Sequence, residues 1–568
     1  MFARLFKYKH LPSNEETIIA FLCIGTAIFF LPFFILLLSS ISFALGYPIS
    51  AGVFIISFLT TLFYCLALSK ILLPQQNISY FLYIVLIFSF IIFLSCLISS
   101  IFYDVSYDGQ WYHQYAIYQL TKGWNPFSNP IEVAEWPVKY YSKGAWIYAA
   151  SIYKLTNYIE VSKAFNIAFI FGSFLISAAA ILSFKKLKFG HALLISLIAV
   201  FNPVSIYQIF SFYVDGQLSS LLVALASLLF LSITTKKIVI FAWLIVPIIV
   251  LLINVKFTGL VYVSIILLLV SACIFISSKR KREFYKIILP ILTGLIIGTL
   301  FIGYNPYITN TINYGHPLYP VAGSGARDIV SSNTPKALRD KNRFEKLFLS
   351  IFAESPNDFE ELLESNYIHL KAPFLFSVKD LVTYRSPDRR IGGFGPLFSG
   401  LIVLSTFLLP SLFKLETQAR KIFLVSTGIL LLSVVANPEC WWARFAPQLW
   451  LLPVFCINFA SLNRDKVSNF LGNSLLIIAL INICLVGAVY IGSNIVTTFK
   501  LNVFLAEISN PKTSDIILDL GTIAPQIRLE DHHIKYKLVG NDSLPCQNPL
   551  QFPYTYGKRK TSYCLITK

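Results

Sequence analysis

About thirteen apolar runs, each close to the roughly 20 residues that carry a helix across a bilayer, alternate with polar stretches along this chain. They cover residues 17–45, 49–69, 79–102, 162–183, 190–210, 214–234, 237–254, 258–277, 286–303, 395–413, 420–436, 446–461 and 470–492. The pattern predicts a mainly α, polytopic membrane protein. Its first run is long enough to tilt or to include an interfacial turn. Residues 1–16 are polar, so that run is expected to be a retained helix rather than a cleaved signal peptide.

Three polar stretches are longer than loops: 103–161, 304–394 and 493–568. The first carries Trp111, Trp124, Trp136 and Trp146 among many tyrosines, a density that belongs at headgroup level. Short amphipathic helices lying on the membrane are expected there, broken at Asn125-Pro126, Asn129-Pro130 and Trp136-Pro137. Residues 336–365, rich in charge of both signs, read as a helical patch. In the last stretch Ile516-Ile517-Leu518 and Tyr536-Lys537-Leu538-Val539 are short strand candidates. The expected organisation is a transmembrane domain over 1–492, with loops 103–161 and 304–394, followed by a small α/β appendage over 493–568.

Composition agrees. Hydrophobic residues make up 56% of the chain and charged ones 13%, against about 25% charged in a soluble protein. The formal charge of +18 does not signal nucleic acid, because the basic residues sit in short loops between apolar runs. One set of loops holds Arg4, Lys7, Lys9, Lys70, Lys185, Lys186, Lys188, Lys236, Lys237, Lys279, Arg280, Lys281, Arg282, Lys414, Arg420, Lys421, Arg464 and Lys466. With thirteen spans all of these fall on one side, which the positive-inside rule makes cytoplasmic. The N-terminus is then inside, the C-terminus outside, and the three long stretches outside. Membrane lipid, anionic on the inner leaflet, is the expected partner of the basic loops. No glycine-rich nucleotide fingerprint lies on the inner side. Seven of the nine cysteines lie in or beside apolar segments; Cys546 and Cys564 lie in the polar tail, where an oxidising compartment would allow them to pair.

The polar residues on the outer side, near span ends, are the candidate chemistry. Asp104, Asp108, Tyr112 and His113 follow the third span, and Lys139 lies further along the same stretch. Asp215 opens the sixth span, and Lys256 sits between the seventh and eighth. His316 lies in the second long stretch, and Arg444 lies before the twelfth span. Carboxylates can take the proton of an acceptor hydroxyl. Lys and Arg can hold a phosphate and its developing charge. Plainer roles are open to each: a helix cap for Asp104 or Asp215, headgroup contact for Lys256 or Arg444, a turn for His316, positioning rather than catalysis for His113. A divalent cation is compatible with this chemistry, but no compact ligand cluster supports one.

These segments, in this order, resemble bacterial multi-spanning glycosyltransferases of the GT-C fold, a superfamily that includes dolichyl-phosphate-mannose mannosyltransferase-like and lipid A aminoarabinose transferase-like enzymes. The resemblance is carried over roughly residues 100–460 by Asp108-x-x-x-Tyr112-His113, Gly123-x-Asn125-Pro126, Asn202-Pro203 with Asp215, and Lys256-x-Thr258-Gly259. It continues through Tyr314-Gly315-His316-Pro317-Leu318-Tyr319-Pro320, Gly393-Phe394-Gly395-Pro396 and Trp442-Ala443-Arg444-Phe445. It implies an inverting transfer of a sugar from a polyprenyl-phosphate donor to a lipid-linked or glycan acceptor, on the outer face of a bacterial inner membrane. It also implies a catalytic carboxylate in the first outer loop, Asp108 with Asp104 second, and a lipid-phosphate site for which Lys256 and Arg444 are the candidates. Two alternatives remain open. A glycan polymerase or ligase would centre on 304–394, with Arg385, Arg389 and Arg390. A transporter or flippase of lipid-linked sugar would need mid-span charges and broken helices.

Overall fold

The computed structural model of the chain describes residues 14–128, 131, 135–183, 187–234, 238–276, 281–355, 363–463, 465–509, 515–540, 544–555 and 560–566. Arg4, Lys7, Lys9, Lys185, Lys186, Lys236, Lys237, Lys279, Arg280, Arg464 and the Asn129-Pro130 break lie outside the described residues.

Ten described helices are long and apolar enough to cross a membrane, and three shorter apolar helices, Phe189–Val200, Phe398–Leu412 and Pro447–Ala460, complete the series. Each expected span therefore has its helix, in order. Helices Ala51–Leu72 and Ile78–Ile101 are mostly unburied, with Leu59, Phe63, Leu86, Phe90 and Phe93 exposed. Such faces suit a hydrocarbon solvent, where a helix satisfies its own backbone. Helices Ile159–Leu182, Asp215–Thr234 and Ile238–Val255 are largely enclosed by the others and form the centre of one core. The last spans, with Ile195–Phe210, enclose a second.

Three expectations change in detail. The fifth span ends at Val200 rather than 210, because the backbone turns before Pro203 and starts a new short helix there, with Asn202 Oδ1 accepting from the Val204 amide at 2.9 Å. Proline biases its predecessor away from helix and serves well at a first helical position. Helix Gly144–Thr156 is not a surface helix: its residues 144–153 are all buried. Within 336–365, the longest described helix is Arg343–Phe352, started by a capping box between Asn342 and Glu345, and residues 356–362 lie outside the described residues.

The last membrane helix, Lys466–Ile508, continues well past residue 492. Beyond it lies a four-stranded sheet, β1 Asp515–Asp519, β2 Tyr536–Val539, β3 Leu550–Gln551 and β4 Ser562–Ile566. Its spatial order is β2-β1-β4-β3. β1 pairs parallel with β2 through the intervening helix Ala524–Asp531, and antiparallel with β4. Both expected strands are present; β3 and β4 are additional. Cys546 and Cys564 are disulfide-bonded, with Cα atoms 6.0 Å apart, an ordinary span for such a bridge. The sheet does not stand apart. Its core includes Tyr103 from the first long loop and Leu501 and Leu505 from the last helix.

Candidate active site

The helix Ile78–Ile101 ends at Phe102, which is extended. Asp104 then folds the chain back: its carboxylate accepts from the Ser106 amide at 2.8 Å and from the Phe212 amide at 2.8 Å. Ser106 Oγ in turn accepts from the Gly109 amide at 3.2 Å, and a wide π-type turn follows over Gly109–His113. Gly109 is required by space alone, since a Cβ there would lie 2.0 Å from Asp104 Oδ2. Asp108 is thus held in the first turn of a helix restarted by its neighbours.

Asp108 points at Arg444, whose guanidinium is the centre of the site. Arg444 uses a different nitrogen for each of three carboxylates: Nε to Asp215 at 3.0 Å, Nη1 to Asp388 at 3.2 Å and Nη2 to Asp108 at 3.2 Å. Its Cζ lies over the Tyr213 ring, 4.6 Å from the ring centre, a placement that suits a delocalised guanidinium. Lys256 forms an ion pair with the other oxygen of Asp215 and sits 4.3 Å from the Phe445 ring centre. Arg390 reaches Asp388 at 3.4 Å and lies over Trp442. Three acids and three bases make the cluster formally neutral. The side chains of Arg444 and Asp108 are 12% and 17% exposed, so the cluster is enclosed yet reached by solvent.

Each arm comes from a separate element. Asp215 is the first residue of helix Asp215–Thr234, but its carboxylate does not cap it. Gln208 Oε1 accepts from the Gly216 amide at 2.9 Å, leaving Asp215 for the cations and for Gln208 Nε2 at 3.0 Å. Lys256 alone separates helices Ile245–Val255 and Phe257–Ile276. That turn is tight enough that a Cβ on Gly259 would meet the Leu252 carbonyl at 1.9 Å. Arg444 lies in the loop between helices Thr417–Val435 and Leu451–Ala460. Lys256 and Arg444 therefore point inward and do not serve as headgroup anchors.

Burial pushes the Asp108 carboxyl up from its ordinary value, with Arg444 opposing and Asp388 reinforcing the shift. Burial would lower the Arg444 pKa, but Asp215, Asp388 and Asp108 together hold it well above the ordinary value. Lys256 is lowered by burial, with Asp215 opposing and Arg444 adding to the shift.

The other expected residues fall around this centre. Tyr112 is buried, and its hydroxyl lies 3.5 Å from Asp108 Oδ2. His113 is 4% exposed, and burial brings its pKa down to about 3. Trp146 Nε1 donates to its Nδ1 at 2.7 Å, so the neutral ring carries its proton on Nε2. Asp104 belongs to a different network. It is 1% exposed, burial raises its pKa to about 6, and its carboxylate serves backbone amides rather than Arg444. Its place in the site is as the support of the Asp108 turn. Lys139 lies on the short helix Trp136–Tyr140, where its carbonyl accepts from Lys143 Nζ. His316 Nδ1 accepts from the Leu318 amide at 3.1 Å, a turn role. Both flank a separate aromatic patch in which Tyr140 meets Tyr314 and Tyr319 edge-on.

Asp388 was not anticipated. Its only signal is an acidic residue set among Arg385, Arg389 and Arg390 in a long polar stretch, and the arginines draw attention first. Gln208 and Tyr213 carry no signal either. Among the described residues no group of three or more His, Cys, Asp or Glu is arranged to hold a metal ion; the three aspartates that meet do so on Arg444.

Fold and cluster together define a multi-pass helical membrane protein with a buried ion-pair centre where helix ends and loops meet. No protein-family model matches the chain, and no curated protein matches it. A similar solved structure is ArnT from Cupriavidus metallidurans, in a crystal structure bound to undecaprenyl phosphate. It is 10% identical, with 81% of this chain and 86% of that chain covered and a TM-score of 0.35.

Proposed function

We propose that the chain is a membrane glycosyltransferase of the GT-C kind, transferring a sugar from a polyprenyl-phosphate donor to a cell-envelope acceptor. The observation that carries this reading is the meeting of Asp108, Asp215, Lys256 and Arg444. These four span-end residues, distant in sequence, gather into one enclosed cluster. A carboxylate beside two cations is what an inverting displacement of a phosphate leaving group needs.

In the proposed reaction the acceptor hydroxyl gives its proton to Asp108, and its oxygen bonds to the anomeric carbon as the bond from that carbon to the lipid phosphate breaks. The raised pKa of Asp108 favours its acting as base. Arg444 and Lys256 take the charge developing on the departing phosphate. Asp215 holds both cations at the right separation, and His113, neutral and fixed by Trp146, shapes the wall. A phosphate oxygen would replace one carboxylate contact of Arg444, and Asp388, 22% exposed, is the arm free to give way. The polymerase or ligase reading shares this site and gains from Asp388 and Arg390, which come from 304–394; it differs in acceptor.

The disulfide in the tail supports an extracytoplasmic C-terminus and hence a site on the outer face of an inner membrane. The test is Asp108→Asn, assayed for sugar transfer in membranes. Loss of a general base costs about 100-fold or more; undiminished turnover at normal protein level removes Asp108 from the chemistry.

A further inference from the structure

The C-terminal α/β unit reaches into the loop that carries Asp108. Arg528, on helix Ala524–Asp531, is 1% exposed, and its Nη2 donates to the Asp104 carbonyl at 2.7 Å. The same carbonyl accepts from Gln114 at 3.3 Å. At the other end of the segment Gln110 Nε2 donates to the Tyr554 carbonyl at 2.8 Å. Residues 104 and 110 are thus both gripped from the tail, with Asp108 between them.

The neighbours of Arg528 fasten the unit. Glu530 accepts from Tyr118 at 2.9 Å. Asp531 accepts from the Tyr153 hydroxyl at 2.9 Å and from the Ile159 amide at 2.8 Å. His532 Nε2 lies 2.9 Å from the Tyr103 hydroxyl. Arg528, Glu530 and Asp531 at the end of the helix, and His532 just beyond it, thereby face the membrane domain. Asp104, held by Arg528 at its carbonyl, holds the Phe212 amide with its carboxylate, and the next residue, Tyr213, is the ring against which Arg444 lies.

We infer that the C-terminal α/β unit is a clamp that sets the Asp108 turn against Arg444, and that Arg528 is a positioning residue of the site. The inference rests on reading the Asp108–Arg444 cluster as the active site. The tail is then part of the catalytic apparatus, acting on turnover rather than on donor affinity, because Asp215 and Lys256 stand on segments the tail does not touch through these bonds.

The test uses the full chain in lipid nanodiscs, with Arg528→Gln and Arg528→Lys. Amide hydrogen exchange over 104–113 is expected to quicken about tenfold or more in Arg528→Gln and to return toward the parent rate in Arg528→Lys, which keeps one donor for the Asp104 carbonyl. Exchange over 215–255 and binding of undecaprenyl phosphate, measured by native mass spectrometry, should stay unchanged while transfer slows. Unchanged exchange over 104–113 in Arg528→Gln overturns the clamp, as does failure of lysine to restore it. Should Arg528→Gln not accumulate, Glu530→Gln loosens the same helix from a more exposed position and must quicken the same amides; if it does not, the clamp is rejected. Quickened exchange together with full transfer by Asp108→Asn retains the clamp and removes Asp108 from the chemistry. Abolished transfer in Asp108→Asn with unaltered exchange in Arg528→Gln does the reverse.

Discussion

Replacing Arg444 by lysine keeps the charge and removes the fork. Arg444 meets Asp215, Asp388 and Asp108 through three separate nitrogens at 3.0, 3.2 and 3.2 Å. A lysine ammonium is a compact point charge and loses the planar reach, so it retains about one of these contacts. A hydrogen bond to a charged group is worth about 1.5–3 kcal/mol, so losing two costs about 3–6 kcal/mol. Asp215 is fully buried, but the side chains of Arg444, Asp108 and Asp388 are 12%, 17% and 22% exposed, and solvent screening moves the expectation toward the lower end, about 3 kcal/mol. Part of that loss is repulsion between carboxylates that have lost their common partner. Asp388→Asn should therefore rescue the lysine variant in part, giving a double-mutant coupling of about 1–3 kcal/mol. Equilibrium unfolding of the purified protein in nanodiscs measures all four corners of the cycle. A lysine variant within about 0.5 kcal/mol of the parent, or strict additivity with Asp388→Asn, would refute the view of Arg444 as a three-way bridge.

Two further outcomes follow from the same region. Gly109→Ala places a methyl group 2.0 Å from Asp104 Oδ2, so the Asp108 turn must shift; transfer should fall at least tenfold while the protein still inserts, and normal activity would mean the turn is not fixed as described. Burial raises the Asp531 carboxyl to about 7, with the Tyr153 and Ile159 bonds opposing and Glu160 and Glu530 reinforcing the shift. Between the ordinary carboxylate value and 7 the docked form binds more protons than the released one. Docking is then fully supported at low pH and weakens as pH rises through about 7. Hydrogen exchange over 515–540, corrected for intrinsic rate, should be faster at pH 8 than at pH 5.5, and Asp531→Asn should flatten that difference; the opposite slope would contradict the assignment.

The sequence by itself determined the architecture of the membrane part. Apolar runs of spanning length are set by local hydropathy, because bilayer thickness fixes helix length and the backbone must satisfy itself within each span. Every expected span has its helix, and both strand candidates in the tail are strands. Single residues of the site were legible for the same reason: Asp108, Asp215, Lys256 and Arg444 are charges at span ends, where few charges are tolerated without purpose. Tertiary structure decided which of them meet. Asp108 and Arg444 are joined across most of the chain, and no local pattern encodes that contact. Asp388 was hidden because it is one of several acids in a long polar stretch and has no hydropathy contrast. Asp104 and His113, close in sequence to Asp108, are bonded to backbone amides and to Trp146 rather than to Arg444, a difference in partners that no local pattern encodes. The tail read as an appendage because it follows the last apolar run and its own strands are short. Its role at the Asp108 turn depends on Arg528 reaching a backbone carbonyl of Asp104, and side-chain reach across a folded interface is decided by packing alone.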